Sequence, residues 1–186
     1  MSFTPRLNSN GMSNNLHWYS NGNPYYATGY GMPNCTAYAW GRAWEILDPG
    51  NTGANKPDPY KLPGYWDAGL WWTKVDRSTY ETGQTPQLGA IACFSNNSGG
   101  AGHVAVVEEI NSNGTITTSN SAYGGTYFYT QTLYQSNNYN WGNYTFQGFI
   151  YIYSSPAPVG RRPKSKFPWV LYARKFRSKR NNVNFT

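Results

Sequence analysis

Gly31-Met-Pro-Asn-Cys-Thr-Ala-Tyr-Ala-Trp-Gly-Arg-Ala-Trp-Glu-Ile-Leu47 is the stretch on which the reading of this chain turns. Pro33 has no amide hydrogen and pushes its predecessor out of helical geometry, so helix cannot run in from upstream. Asn34 is a strong N-cap, because its side-chain oxygen can accept from an unpaired amide of the first turn. Ala37, Tyr38, Ala43, Trp44 and Leu47 then recur near helical spacing. The pattern predicts a helix that opens at Cys35 and ends near Asp48-Pro49-Gly50. A cysteine at the positive end of a helix is placed where a thiolate is favoured over a thiol. Cys35 is therefore a candidate nucleophile, provided the chain supplies the rest of a site.

Composition narrows what that site can be. The chain has 186 residues, enough for one domain or one domain and a tail. Only 12% of residues are charged and 18% are aromatic, with 17 Tyr and 8 Trp, which argues against disorder and suits a β-rich fold with long polar loops. Two cysteines, Cys35 and Cys93, make no disulfide framework, and with two histidines a zinc cluster is not expected. Met1 is followed by Ser-Phe-Thr-Pro-Arg, so no signal peptide is read there, and no apolar run is long enough to span a membrane. The net charge of +7 is uneven. Residues 1–155 carry six basic and all eight acidic side chains, whereas residues 156–186 carry nine basic ones and no acid. Pro156-Ala-Pro-Val-Gly160 reads as the boundary, giving a body over 1–155 and a basic linker or tail over 156–186.

Along the body, residues 1–34 read as loop with at most a short strand, and 49–64 as a long surface loop full of turn signals. Tyr65–Lys74 reads as a short second helix packing Trp66, Leu70 and Trp71 inward. Strands follow at 89–94, 103–110, 115–120, 127–133 and 144–153, with Asn113-Gly114 as a hairpin turn between the second and third. A helix followed by an antiparallel sheet gives an α+β fold.

A nucleophilic cysteine needs an imidazole to take and return its proton, and a third group to hold that imidazole's tautomer. His103 opens a strand after a Gly-rich loop. His17 lies in a polar loop, and rigid elements position bases better, so His103 is preferred. For an even-length turn, facing residues have odd index sums, and even-numbered residues of the returning strand then share the face of His103. Asn120 is the polar residue among 120, 122 and 124, with Thr118 and Tyr123 as competitors. Glu109 on the same face is about 20 Å along the strand, and Glu108 points to the other face; both read as solvated strand-end charges. Cys93, among apolar residues, reads as structural.

With these residues in view, four blocks resemble the CHAP domain, the cysteine, histidine-dependent amidohydrolases/peptidases. They are Asn34-Cys35-Thr36-Ala-Tyr38-Ala-Trp-Gly41-Arg42, Gly89-Ala-Ile-Ala92, Gly102-His103-Val-Ala-Val-Val-Glu108 and Asn113-Gly-Thr-Ile-Thr-Thr-Ser119. The resemblance covers roughly residues 20–153. It implies a papain-like fold and a peptidoglycan hydrolase, an amidase or endopeptidase of the kind found in bacteriolytic phage endolysins and tail-associated enzymes. Cys35 would be the nucleophile and His103 the base, with Asn120 standing where the family often has Glu. The backbone N–H of Cys35 and the side chain of Asn34 would hold the oxyanion, unless the N-cap uses Asn34 fully. Some relatives bind calcium upstream of the cysteine; residues 1–34 contain no carboxylate, so no metal or other cofactor is expected. Trp40, Trp72 and Tyr123, with Trp66 and Trp71, are candidates for a substrate groove, and core packing accounts for them equally well.

The basic, aromatic segment 161–180 fits an anionic wall polymer or membrane surface, with no specific nucleic acid as partner. The enzyme would act at the host wall, released by lysis through a holin or carried on a virion. The alternative to an enzyme is a catalytically silent wall-binding or virion structural module of the same fold.

Overall fold

The computed structural model describes residues 3–12 and 16–153. The expectation for 156–186 lies outside the described residues. A short helix α1 (Pro24–Ala27) precedes the long helix α2 (Cys35–Leu47). A 3-10 turn over Ala68–Leu70 leads into one helical turn, α3 (Trp71–Lys74). Six strands follow: β1 (Thr82–Gly83), β2 (Ile91–Asn96), β3 (His103–Ile110), β4 (Thr115–Asn120), β5 (Tyr129–Tyr134) and β6 (Tyr144–Ile150). They form one antiparallel sheet in the order β1-β6-β2-β3-β4-β5. The α+β arrangement, with the cysteine-bearing helix laid on an antiparallel sheet, is the papain-like layout expected from the sequence.

Helix α2 starts where its cap dictates. Asn34 is extended, and its Oδ1 accepts from Thr36 N at 3.1 Å. Every residue from Cys35 to Trp44 is buried, as expected of a helix enclosed on all sides. On one side Val104 and Val106 of β3 meet it, within a core that also holds Trp40, Trp71 and Ile150. On the other side the segment 16–27 covers it. Asn23 Nδ2 donates to Trp18 O at 2.9 Å and to Ala37 O at 2.8 Å, and Tyr19 stacks on Tyr38 at 5.9 Å. Gly41 is required here, since a Cβ would stand 2.5 Å from Trp18 O and 2.6 Å from the Tyr19 ring.

Three expectations are corrected. The second helix is shorter than 65–74, and only Trp71 of its three aromatic and aliphatic residues is buried; Trp66 and Leu70 are 44% and 41% exposed. A short helix, capped by Asn23, stands in the region read as loop.

The third concerns Glu108, which is fully buried rather than a solvated strand end. The register Val106↔Ser119 and Val107↔Thr118 shifts to Glu109↔Thr117 and Ile110↔Ile116, so Glu108 is an extra, bulged residue. Its carboxylate takes Arg42 Nε and Nη2 at 3.0 and 2.9 Å, Ser119 Oγ at 2.6 Å and Arg6 N at 2.8 Å. Arg42 continues through Nη1 to Glu45 at 2.9 Å, and Glu45 accepts from Arg6 and from Tyr19. This buried ionic network ties α2 to β3 and β4.

Candidate active site

Two chain elements converge on one cleft of about 690 Å³, lined by Cys35 from the first turn of α2 and by His103 from the first position of β3. Volumes of this size hold a small ligand or a short length of polymer. Both side chains are nearly enclosed, with 9% of Cys35 and 5% of His103 exposed. The loop before β3 is drawn tightly against the 3-10 turn. Gly69 N donates to Ala101 O at 2.7 Å, and Gly102, at φ +77°, lies so close that a Cβ would sit 2.4 Å from Gly69 N. Only glycine fits there, which fixes the backbone leading into His103.

The imidazole of His103 is held through Nε2, 3.0 Å from Asn120 Oδ1. The orientation of Asn120 is set by its other end. Nδ2 donates to Thr118 O and to Thr118 Oγ1, both at 3.1 Å, while Thr118 Oγ1 donates to Gln131 O at 3.1 Å. Asn120 Oδ1 is therefore the acceptor, Nε2 carries the proton, and Nδ1 is the unprotonated, basic nitrogen. Trp141 and Tyr144 wall the ring, each with its centroid 5.4 Å from that of His103. The pairing of His103 with Asn120 follows the odd index sum expected from an even turn. The turn itself closes with an even sum at Ile110↔Ile116, and the bulge at Glu108 restores the odd sum beyond it.

Electrostatics depart from the expectation for Cys35. Burial pushes its thiol up to about 11, against the stabilising backbone N–H groups of Val104, Thr36 and Cys35 itself, and Asp67 adds a small opposing charge. Desolvation of the thiolate thus outweighs the helix terminus. Burial also lowers the pKa of His103, which the hydrogen bond to Asn120 partly offsets. Both shifts favour the neutral forms, a thiol and an imidazole, in the cleft that the two groups share.

Asn34 lines the same cleft. Its Oδ1 accepts from Thr36 N and, at 2.9 Å, from Thr36 Oγ1; its Nδ2 donates to Tyr30 O at 3.0 Å. The cap thus occupies the oxygen and one of two amide hydrogens, leaving the second N–H without a partner among the described residues.

The aromatic candidates separate. Tyr123 lines the cleft, 69% exposed and 6.1 Å from Tyr30. Trp40 does not: it is fully buried in the core beside Trp44. Trp72 lies outside the cleft as well, packed over Gly148, where a Cβ would meet its ring at 2.4 Å, with Arg77 5.0 Å above it. Trp71 is core, hydrogen-bonded through Nε1 to Tyr25, and Trp66 reaches the cleft. Cys93 is fully buried, and His17 sits away from the cleft, 3.6 Å from Asp48. Sequence reasoning missed Tyr129, Trp141 and Tyr144, which line the cleft from the last third of the body. No local pattern distinguishes them from other strand aromatics.

Comparison with known proteins places this arrangement among relatives. The CHAP domain matches residues 25–122, just over half of the chain. A protein named "Probable autolysin LDP" from Staphylococcus aureus (strain NCTC 8325 / PS 47) is 33% identical over 97 residues, 52% of this chain and 30% of the relative. The Staphylococcal secretory antigen ssaA2 of the same strain is 32% identical over 106 residues, 57% of this chain and 32% of the relative. The chain thus matches about a third of the length of these relatives. Among solved structures, an N-acetylmuramoyl-L-alanine amidase from Staphylococcus aureus matches with 24% identity and a TM-score of 0.47, covering 64% of this chain and 32% of the other. Ly7917 matches with 17% identity and a TM-score of 0.46, covering 64% and 53%.

Proposed function

We propose, from the premise that this chain belongs to the CHAP domain family, that it hydrolyses an amide bond of bacterial peptidoglycan through a thioester on Cys35. One observation carries the reading. A cysteine at a helix N-terminus and a histidine whose tautomer is fixed by Asn120 share one cleft. The autolysin name borne by a relative supports the wall as substrate.

The shift of both groups toward their neutral forms supports one order of events. His103 Nδ1 takes the Cys35 proton as Sγ attacks the amide carbonyl carbon, so the thiolate forms only as it is consumed. The backbone N–H of Cys35, at the free end of α2, and the spare N–H of Asn34 hold the developing oxyanion. The C–N bond then breaks, and the proton on Nδ1 passes to the departing amine. Water, deprotonated by the same nitrogen, attacks the thioester carbon and releases the acid and the free thiol. Asn120 keeps Nε2–H occupied throughout, so Nδ1 alone exchanges protons.

Loss of turbidity of purified Gram-positive walls tests the reading. Cys35→Ser should lower the rate of clearing at least about 10³-fold. Equal clearing by the wild type and Cys35→Ser would overturn hydrolysis and leave a wall-binding module. Mass spectrometry of the released fragments assigns the bond. A new L-Ala amino terminus marks an amidase, and a cut within the peptides marks an endopeptidase. We propose further that the basic segment 161–180 holds the enzyme to an anionic wall polymer or membrane surface.

A further inference from the structure

We infer that Asp67 is a specificity residue, selecting peptide substrates that carry a free primary ammonium close to the scissile amide; the inference deepens the peptidoglycan reading and names the chemistry of its substrate. Among the described residues, Asp67 is the one charged side chain in a cleft otherwise lined by aromatic, small and neutral polar groups. Its carboxylate makes no hydrogen bond or ion pair with another described residue, and it does not cap the 3-10 turn that begins after it. A structural carboxylate normally has such a partner, as Glu45 and Glu108 have in arginines and Asp48, Asp58 and Asp76 in backbone or hydroxyl groups; Asp67 differs from these in standing in the cleft without one.

The backbone beneath Asp67 is rigid. Trp66 O, one residue before, takes Tyr25 Oη at 2.8 Å, and Asp67 O accepts from Leu70 N at 2.9 Å. Gly69, two residues on, is pinned to Ala101. The backbone that carries the carboxylate is thus held in place before a ligand arrives, which favours recognition. Beside it in the cleft stand Tyr65 and Trp66, 49% and 44% exposed. Lys74 Nζ already lies 4.2 Å from the centre of the Trp66 ring, so the acid and the exposed Tyr65 ring are what complement a ligand's ammonium, through a charge-assisted hydrogen bond and cation–π contact. A neutral sugar would use the aromatic faces and leave the acid unpaired, and an anionic group would be repelled.

The same position links recognition to reactivity. Asp67 is near enough to Cys35 to disfavour its thiolate. An ammonium docked on Asp67 cancels that charge when substrate is bound, easing transfer of the thiol proton to His103.

Binding tests this without requiring turnover. The probes are the synthetic peptide L-Ala-D-iGln-L-Lys-D-Ala and its doubly N-acetylated form, titrated into the Cys35→Ala protein. The free amine form should bind about five- to tenfold more tightly, with the advantage shrinking as salt rises. Adding Asp67→Asn should bring the ratio to about one, and the two singly acetylated peptides then identify which amine is read. Equal binding of the two forms, binding of neither, or a preference that survives Asp67→Asn overturns the inference. Wall clearing without amine preference removes this inference and keeps hydrolysis. Amine preference without wall clearing does the reverse.

Discussion

At the scale of single residues, the proposed mechanism has the proton move during attack rather than before it. Burial pushes each group toward its neutral form and so disfavours a thiolate–imidazolium pair. This predicts the chemistry of the free protein. Alkylation of Cys35 by iodoacetamide should rise with pH toward about 11, with no plateau of reactivity between about pH 5 and 7 such as an ion pair produces. Cys93 does not confuse the measurement, since it is fully enclosed. A fast, pH-independent alkylation near neutrality would contradict the neutral pair. Asn34 makes the second test at this scale. Asn34→Ser keeps an oxygen for the cap but withdraws the amide donor, so the melting temperature should stay within a few degrees. The turnover number should fall about 100-fold on a soluble muropeptide if that donor holds the oxyanion. A fall in stability with full turnover would leave Asn34 only its capping role.

At the scale of elements, what fixes the site is the clamp between α2, β3 and β4. Arg42 and Glu108 are 66 residues apart, and both are enclosed. Replacing the carboxylate by Glu108→Gln leaves the guanidinium with one fewer buried counter-charge. It should cost about 3 kcal/mol in urea unfolding, and activity should fall as β3 loosens from the helix. A variant as stable as the wild type would show the network to be dispensable. The clamp also shows what a sequence can and cannot disclose. The start of α2 was legible because caps and proline act on adjacent residues, and β3 and β4 because apolar and β-branched residues mark a pleated strand. Glu108 was misread because its burial depends on a bulge that no local pattern marks and on Arg42, 66 residues away. The parity argument led to Asn120 only because that same bulge corrected the turn. Trp40 and Trp72 were misassigned for a related reason. An aromatic side chain looks the same in sequence whether it fills a core, as Trp40 does, or faces a cleft, as Tyr123 does.

At the scale of the whole molecule, charge is unevenly divided along the chain. Residues 1–155 carry six basic and eight acidic side chains, so the domain that holds the cleft gains little from long-range attraction to an anionic wall. The nine basic side chains between Arg161 and Arg180 stand against no acid in 156–186. Attraction of that kind is strong at low ionic strength and largely screened at high salt, whereas chemistry within an enclosed cleft is not. The two functions should therefore separate by truncation. A chain ending at Ser155 should sediment with purified walls much less than the full chain at about 0.05 M salt, and the difference should vanish near about 0.5 M. The same truncation should leave hydrolysis of soluble muropeptides within about twofold of the full chain, because such substrates need no capture at a surface. If wall binding at low salt is the same with and without 156–186, attachment must come from the aromatic cleft itself, and Tyr30 and Tyr123 at its open side become the next residues to replace.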